Sequence, residues 1–181
     1  MTGNQPAGPV EHLVGMRLPP VALPSSRGRM VRLDQEPSRW AVLYCHPRIG
    51  RPGEPSPGGD ATWDAIPGAR GCTPQSCGYR DHYAELQGLG AAVYGVSTQS
   101  TESQREAAER LRLPFELLSD AAGELRRALH LPIFEVNGEV FLQRLTLLVT
   151  GGRIAACIYP VDPPGADAEH VIEWLQGHRE I

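Results

Sequence analysis

Two stretches, Trp40-Ala41-Val42-Leu43-Tyr44-Cys45 and Ala91-Ala92-Val93-Tyr94-Gly95-Val96-Ser97, are apolar almost throughout and do not alternate with polar residues. A strand of that composition must be covered on both faces, which puts it inside a sheet sandwiched by helices. The segments between and after them fit that requirement. Tyr79, Tyr83, Leu86 and Leu89 recur at helical spacing. Thr101 to Leu111 reads as a helix with a Glu/Arg/Gln-rich face, and Gln104 is spaced for a capping box on Thr101. Pro114 to Leu118 reads as a short strand, and Ser119-Asp120 as the cap of a helix from about Ala121 to Leu129. Asn137-Gly138 between Phe134–Val136 and Val140–Leu142 is a hairpin signal. A second hairpin runs Arg144–Val149, Gly151-Gly152, Arg153–Tyr159, and a last helix spans 167–176. Before all of these, Val21–Leu23 and Met30–Leu33 flank a turn. The order predicts an α/β chain, with a central mixed sheet flanked by helices on both faces and an N-terminal β-hairpin.

The stretch Gly71-Cys72-Thr73-Pro74-Gln75-Ser76-Cys77-Gly78-Tyr79-Arg80-Asp81 carries the chemistry. Pro74 is tolerated only in a first helical turn, so Cys72 stands at a helix N-terminus. Free N–H groups and the aligned peptide dipoles favour a negative charge there, hence the thiolate, the nucleophilic form of cysteine. Cys77 follows five residues later. On an intact helix the two Cα atoms stand roughly 8.5 Å apart. A disulfide needs less than about 7 Å. The pair can therefore bridge only if the turn unwinds, and Pro74 and Gly78 make that turn cheap to lose. On spacing alone, two small residues in a helix, one of them buried, is an equally good reading.

Composition narrows the rest. A length of 181 residues suggests one domain, expected over 13–181 behind a flexible Gly/Pro/Asn/Gln-rich arm at 1–12. The net charge of −4 and the absence of a basic run argue against nucleic acid or an acidic membrane surface as partner. The first residues lack the basic-then-apolar order of a secretory leader, and no apolar run reaches the length of a membrane span. A cytoplasmic location is expected. Four cysteines in such a chain point to catalysis or metal binding rather than to a disulfide scaffold. Residues 48–69 hold four prolines and five glycines, and they predict a loop without regular structure. Its apolar Trp63-Asp64-Ala65-Ile66 could fold back over the site. A loop this long inside a compact domain is often functional.

Together these residues resemble the peroxiredoxins, in particular the group called peroxiredoxin Q or bacterioferritin-comigratory protein. The resemblance runs from about Val14 to Trp174. It rests on Gly15-x-x-Leu18-Pro19-Pro20, Tyr44-Cys45-His46-Pro47, the Cys72–Asp81 stretch, Gly95-Val96-Ser97 and Leu117-Leu118-Ser119-Asp120. It implies a thioredoxin-like fold and reduction of hydrogen peroxide and organic hydroperoxides. Cys72 would be the peroxidatic cysteine, oxidised to a sulfenic acid, and Cys77 the resolving cysteine that condenses with it to a disulfide. Thioredoxin or a similar dithiol would restore the pair, with no cofactor or metal, in a monomer or homodimer. Gln75 falls where the family has Glu or Gln. Arg144 falls where it has an arginine beside the thiolate, and Pro47 resembles its active-site proline.

The departures are specific. The family pattern Pro-x-x-x-Thr/Ser-x-x-Cys has Ala65 and Ala69 here, and Pro47 stands 25 residues before Cys72. Residues 48–69 thus contain an insertion of about 18 residues relative to that pattern. The peroxide-binding hydroxyl is unassigned; Thr62 is the candidate, with a backbone N–H or water as substitutes. Cys45 and Cys157 are expected to be packed, and His46 to line the pocket. Two other readings stay open. One is a metal-binding or redox-sensing module using Cys45, His46, Cys72 and Cys77. The other is a thiol–disulfide oxidoreductase without peroxidase chemistry, a class that normally uses Cys-x-x-Cys.

Overall fold

The computed structural model describes residues 9–180. Strand β1 (Ala22–Pro24) and β2 (Met30–Arg32) form the expected antiparallel hairpin. The central sheet has the order β5-β4-β3-β8-β9. Its parallel half is β3 (Trp40–Cys45), β4 (Ala91–Ser97) and β5 (Glu116–Ser119). Its antiparallel half is β8 (Leu145–Thr150), which pairs with β3, and β9 (Arg153–Ile158). The hairpin of β6 (Ile133–Val136) and β7 (Glu139–Leu142) stands apart as a two-stranded sheet. Its turn places Asn137 and Gly138 at positive φ, the requirement that makes Asn-Gly a hairpin signal. The sheet is mixed and carries helices on both faces, as expected.

The apolar runs alternate between two cores. Trp40, Val42 and Tyr44 of β3 face α2 (Cys72–Asp81), α3 (Tyr83–Gly88), α4 (Thr101–Arg110) and α6 (Asp167–Gly177). Ala41, Leu43 and Cys45 point the other way, to α5 (Glu124–Leu129), the N-terminal hairpin and Leu13. The helix read through Tyr79 and Leu89 is two helices, broken at His82, whose ring Nδ1–H donates to the Gly78 carbonyl.

Three local expectations are corrected. Ser100, not Thr101, caps α4 by accepting from the Ser103 N–H, while Gln104 is buried and donates to Ser97 and the Leu118 carbonyl. Asp120 does cap a helix, accepting from the Leu125 and Arg126 N–H groups, but α5 starts only at Glu124. The arm expected over 1–12 lies partly outside the described residues, at 1–8. Of residues 9–12, Val10 is half-buried against the core and His12 donates to the Leu129 carbonyl, while Pro9 and Glu11 are exposed.

The segment 48–69 is not structureless either. It contains α1 (Asp60–Asp64), started from Gly59 at φ 89°. Trp63 turns inward and stacks edge-on to Phe141 and tilted to Phe134. With Ala69 and Val136 these form a small third core between the segment and the β6–β7 hairpin. No helix among the described residues is long and apolar enough to cross a membrane.

Candidate active site

The residue Cys72 is the first of α2, entered through Gly71 at φ 120°, a backbone setting that glycine adopts without strain. A Cβ at position 71 would sit 2.7 Å from Cγ of Pro164, so the chain also approaches the Pro164–Ala166 turn too closely for a side chain. The Cys72 side chain is 3 % exposed. Two donors converge on its sulfur: the backbone N–H of Arg48 at 3.3 Å and Nη2 of Arg144 at 3.2 Å. The sulfur therefore meets a guanidinium, a backbone amide and a helix N-terminus, three groups that direct positive charge or an N–H at it.

Arg144 is 4 % exposed, and neighbours hold its guanidinium plane. Nη1 donates to Oε1 of Gln75 at 2.5 Å, and Nη2 also reaches the carbonyls of Gly68 at 3.0 Å and Ala69 at 3.4 Å. Gln75, one turn along α2, donates its other amide end to Oδ2 of Asp167 at 2.9 Å. The same oxygen accepts from the hydroxyls of Tyr79 and Thr146, each at 2.6 Å. All four of these partners are fully buried.

Pro47 is buried where β3 ends and hands the chain to Arg48, whose N–H it lacks itself. His46 is fully buried, stacked on Tyr44, and neither ring nitrogen has a partner. Burial first, and the Arg144 charge second, push it down to about 3, so it stays neutral. Tyr44 donates to the Ser76 hydroxyl and stacks on Tyr79, which locks α2 against the sheet. All four cysteines are free thiols, and α2 is intact across Cys72 and Cys77.

A cavity of about 490 Å³ opens beside Cys72, walled by the 48–69 segment and by Arg70, Pro74 and Arg110. Thr62 is not on its wall. It is exposed on the outward side of α1, its methyl beside Gly58. The hydroxyls that do line the cavity are those of Ser56 and Thr73. Ser56 is held as an acceptor of Arg70 Nη2 at 3.3 Å.

So Cys72, Gln75, Arg144 and Pro47 come together, Cys77 stands further along the same helix, and Thr62 is placed elsewhere. Reading the sequence missed Asp167, Ser56 and the Arg48 N–H. Only the last had a signal, as the first amide after the proline of the Tyr44–Pro47 motif. The four-ligand metal set is not assembled. Cys45 packs in the core on the opposite side of β3 from Cys72. No cluster of three or more His, Cys, Asp or Glu fit for a metal exists among the described residues. Burial pushes the Cys45 thiol well up and the Cys157 thiol to about 11, so both are poor nucleophiles.

Solved structures share this fold. Peroxidoxin BcpB from Mycobacterium tuberculosis superposes with a TM-score of 0.75, covering 93% of this chain and 99% of its own, at 23% identity. Peroxiredoxin Q from Xanthomonas campestris gives 0.70, covering 88% and 92%, at 22% identity. Among curated proteins, the chloroplastic peroxiredoxin Q of Sedum lineare is 32% identical over 118 residues, 65% of this chain and 54% of that one. The putative peroxiredoxin bcp of Coxiella burnetii is 31% identical over 107 residues, 59% of each chain. The chain thus spans about half the length of the curated relatives it matches. The fold is thioredoxin-like, as expected, and the sequence profile described as AhpC/TSA family matches residues 65–155, from inside the 48–69 segment through Cys72 and Arg144 to β9: the chain belongs to that family.

Proposed function

We propose that the protein is a thiol peroxidase that reduces hydrogen peroxide and organic hydroperoxides through Cys72 and Cys77. The observation that carries the reading is the Cys72 sulfur between the Arg144 guanidinium and the Arg48 N–H at the start of α2. The Cys72 thiolate attacks one peroxide oxygen. An S–O bond forms, the O–O bond breaks, and the other oxygen leaves with a proton as water or an alcohol. Arg144 and the Arg48 amide donate to the oxygens as charge moves onto the leaving atom. Arg144 is itself aligned by Gln75, and Pro47 shapes the wall behind the sulfur. The Cys72 sulfenic acid then condenses with the Cys77 thiol, releasing water and forming a disulfide. A dithiol such as thioredoxin reduces it by exchange in a reducing compartment. Ser56 and Thr73 supply the hydroxyls that the cavity presents to the substrate.

The test is stopped-flow tryptophan fluorescence of the reduced protein against hydrogen peroxide, since Trp63 lines the cavity beside Cys72. A fast phase absent in Cys72→Ser, followed by a slower phase absent in Cys77→Ser, is expected. A wild type that reacts no faster than a free thiol would refute the proposal.

A further inference from the structure

The carboxylate of Asp167 lies outside the reacting groups, yet it ends the chain of contacts that holds them. It is fully buried at the first residue of α6. Its Oδ2 accepts from Gln75, Tyr79 and Thr146, and its Oδ1 has no partner. A buried carboxylate with one idle oxygen is costly, so the three donors are not incidental packing.

Two consequences follow from donor and acceptor chemistry. A guanidinium only donates and a carboxylate only accepts. Gln75 stands between Arg144 and Asp167, so only one orientation of its amide satisfies both: Oε1 toward Arg144, Nε2 toward Asp167. Asp167 therefore anchors the amide by its far end, fixing where Oε1 holds the guanidinium and with it where Arg144 presents Nη2 to the sulfur. The second consequence concerns α2 itself. Gln75 and Tyr79 are four residues apart, on one face of α2. Both are tied to the same Asp167 oxygen from a different element, α6. Unwinding α2 to bring Cys77 to Cys72 has to release them and leave a buried carboxylate with Thr146 alone.

We infer that Asp167 is a positioning residue of the Cys72 site: through Gln75 it aims Arg144 at the sulfur, and through Gln75 and Tyr79 it holds α2 wound until resolution. This rests on the peroxidase reading for its kinetic consequences, though the aiming of Arg144 does not need peroxide at all.

The experiment compares wild type, Asp167→Ala, Asp167→Asn and Tyr79→Phe by three measurements. These are the rate of Cys72 oxidation by hydrogen peroxide, the rate of disulfide formation, and the pH profile of Cys72 alkylation in a Cys77→Ser background. Asp167→Ala is expected to slow oxidation about tenfold and to move the alkylation profile to higher pH, an indirect loss smaller than that of removing a direct donor. Asp167→Asn keeps an oxygen in the place of Oδ2 and is expected to recover most of both. Tyr79→Phe removes one hydrogen bond to the charged group and is expected to speed disulfide formation about tenfold. If Asp167→Ala matches wild type within twofold in oxidation and alkylation, or if Asp167→Asn recovers nothing, the inference is wrong. Should Asp167→Ala not fold, an unchanged rate of disulfide formation in Tyr79→Phe overturns it. A wild type inert to peroxide would refute the peroxidase reading instead, and the alkylation profiles would still decide the role of Asp167.

Discussion

Replacing Trp63 by alanine tests what holds the 48–69 segment over the cysteine. Trp63 is 3 % exposed, and its ring meets Phe134, Phe141, Val136 and Ala69. A Trp→Ala change at a buried site costs about 3–5 kcal/mol. The other restraints on α1 are weak by comparison. The pairs Arg70–Asp64 and Arg70–Asp60 join side chains more than half exposed, and such pairs contribute about 0–1 kcal/mol each. Arg51 reaches Glu54 and Glu106 only at 3.6 and 3.5 Å. The hydrogen bonds of Ile49 with Gln99 fasten the beginning of the segment and leave α1 to Trp63. Removing the indole should therefore release α1 from the β6–β7 hairpin while the two larger cores stay closed.

Hydrogen exchange read by mass spectrometry gives the answer peptide by peptide. Peptides covering 50–66 should exchange faster by roughly two to four orders of magnitude, the factor that 3–5 kcal/mol represents. Those from β3, β4 and β8 should change little. The effect should also reach the site, because the Ala69 methyl belongs to the Trp63 cluster and its carbonyl accepts from Arg144. Oxidation of Cys72 should slow in the variant. Unchanged exchange across 50–66, or a loss of protection spread evenly over the central sheet, would refute this account of the segment.

Two further outcomes can be measured directly. His46, held neutral with its pKa pushed down to about 3, contributes stability that is complete above about pH 6.5 and lost as pH falls from there toward 3, at up to about 1.4 kcal/mol per pH unit. Denaturation series from pH 7 to 4 should show a shallower acid loss in His46→Phe than in wild type; equal slopes would show that another group dominates. Gly78→Ala sets helix propensity, worth about 1 kcal/mol in favour of alanine, against a Cβ placed 2.9 Å from the Gly165 carbonyl oxygen. The obstacle is backbone, so the clash, about 1–3 kcal/mol, should outweigh that gain by up to about 2 kcal/mol and lower the melting temperature, and a rise would sink the argument.

Composition made the sheet legible because the strands that matter are buried on both faces, and an unbroken apolar run says so without reference to partners. The start of α2 was legible for a similar reason: Gly71 and Pro74 have local conformational requirements. What escaped the sequence depends on contacts between distant residues. The 48–69 segment is dense in proline and glycine, and what seats its short helix is Trp63 against a hairpin some seventy residues later. Thr62 was chosen for its hydroxyl, but once Trp63 turns inward the helix places its neighbour outside. Asp167 looks in sequence like an ordinary acid in a first helical turn, where the dipole favours it. Only the approach of Gln75, Tyr79 and Thr146 from two other elements makes it an interior group.

In the proposed reaction, the contacts that favour attack by Cys72 oppose the step that follows it. Arg144 is aimed through Gln75, and Gln75 can aim it only while α2 is wound, since the amide projects from the turn that carries Cys72. Yet Cys77 cannot reach Cys72 on a wound helix. Attack and resolution thus require different conformations of one turn, and the balance between them sets how long the sulfenic acid survives. Several interactions favour the wound form: two donors on Asp167, the Tyr44–Ser76 hydrogen bond and the Tyr44–Tyr79 stack. Few of them depend on the oxidation state of the sulfur. The contacts that do are the Arg144 and Arg48 donors, which lose their negatively charged acceptor when the thiolate becomes a sulfenic acid. Charge-assisted hydrogen bonds are about twice as strong as neutral ones, so oxidation itself weakens the N-terminal anchor of α2. Unwinding should begin there, at the turn from Gly71 to Gln75, and reach the Tyr79 contact last.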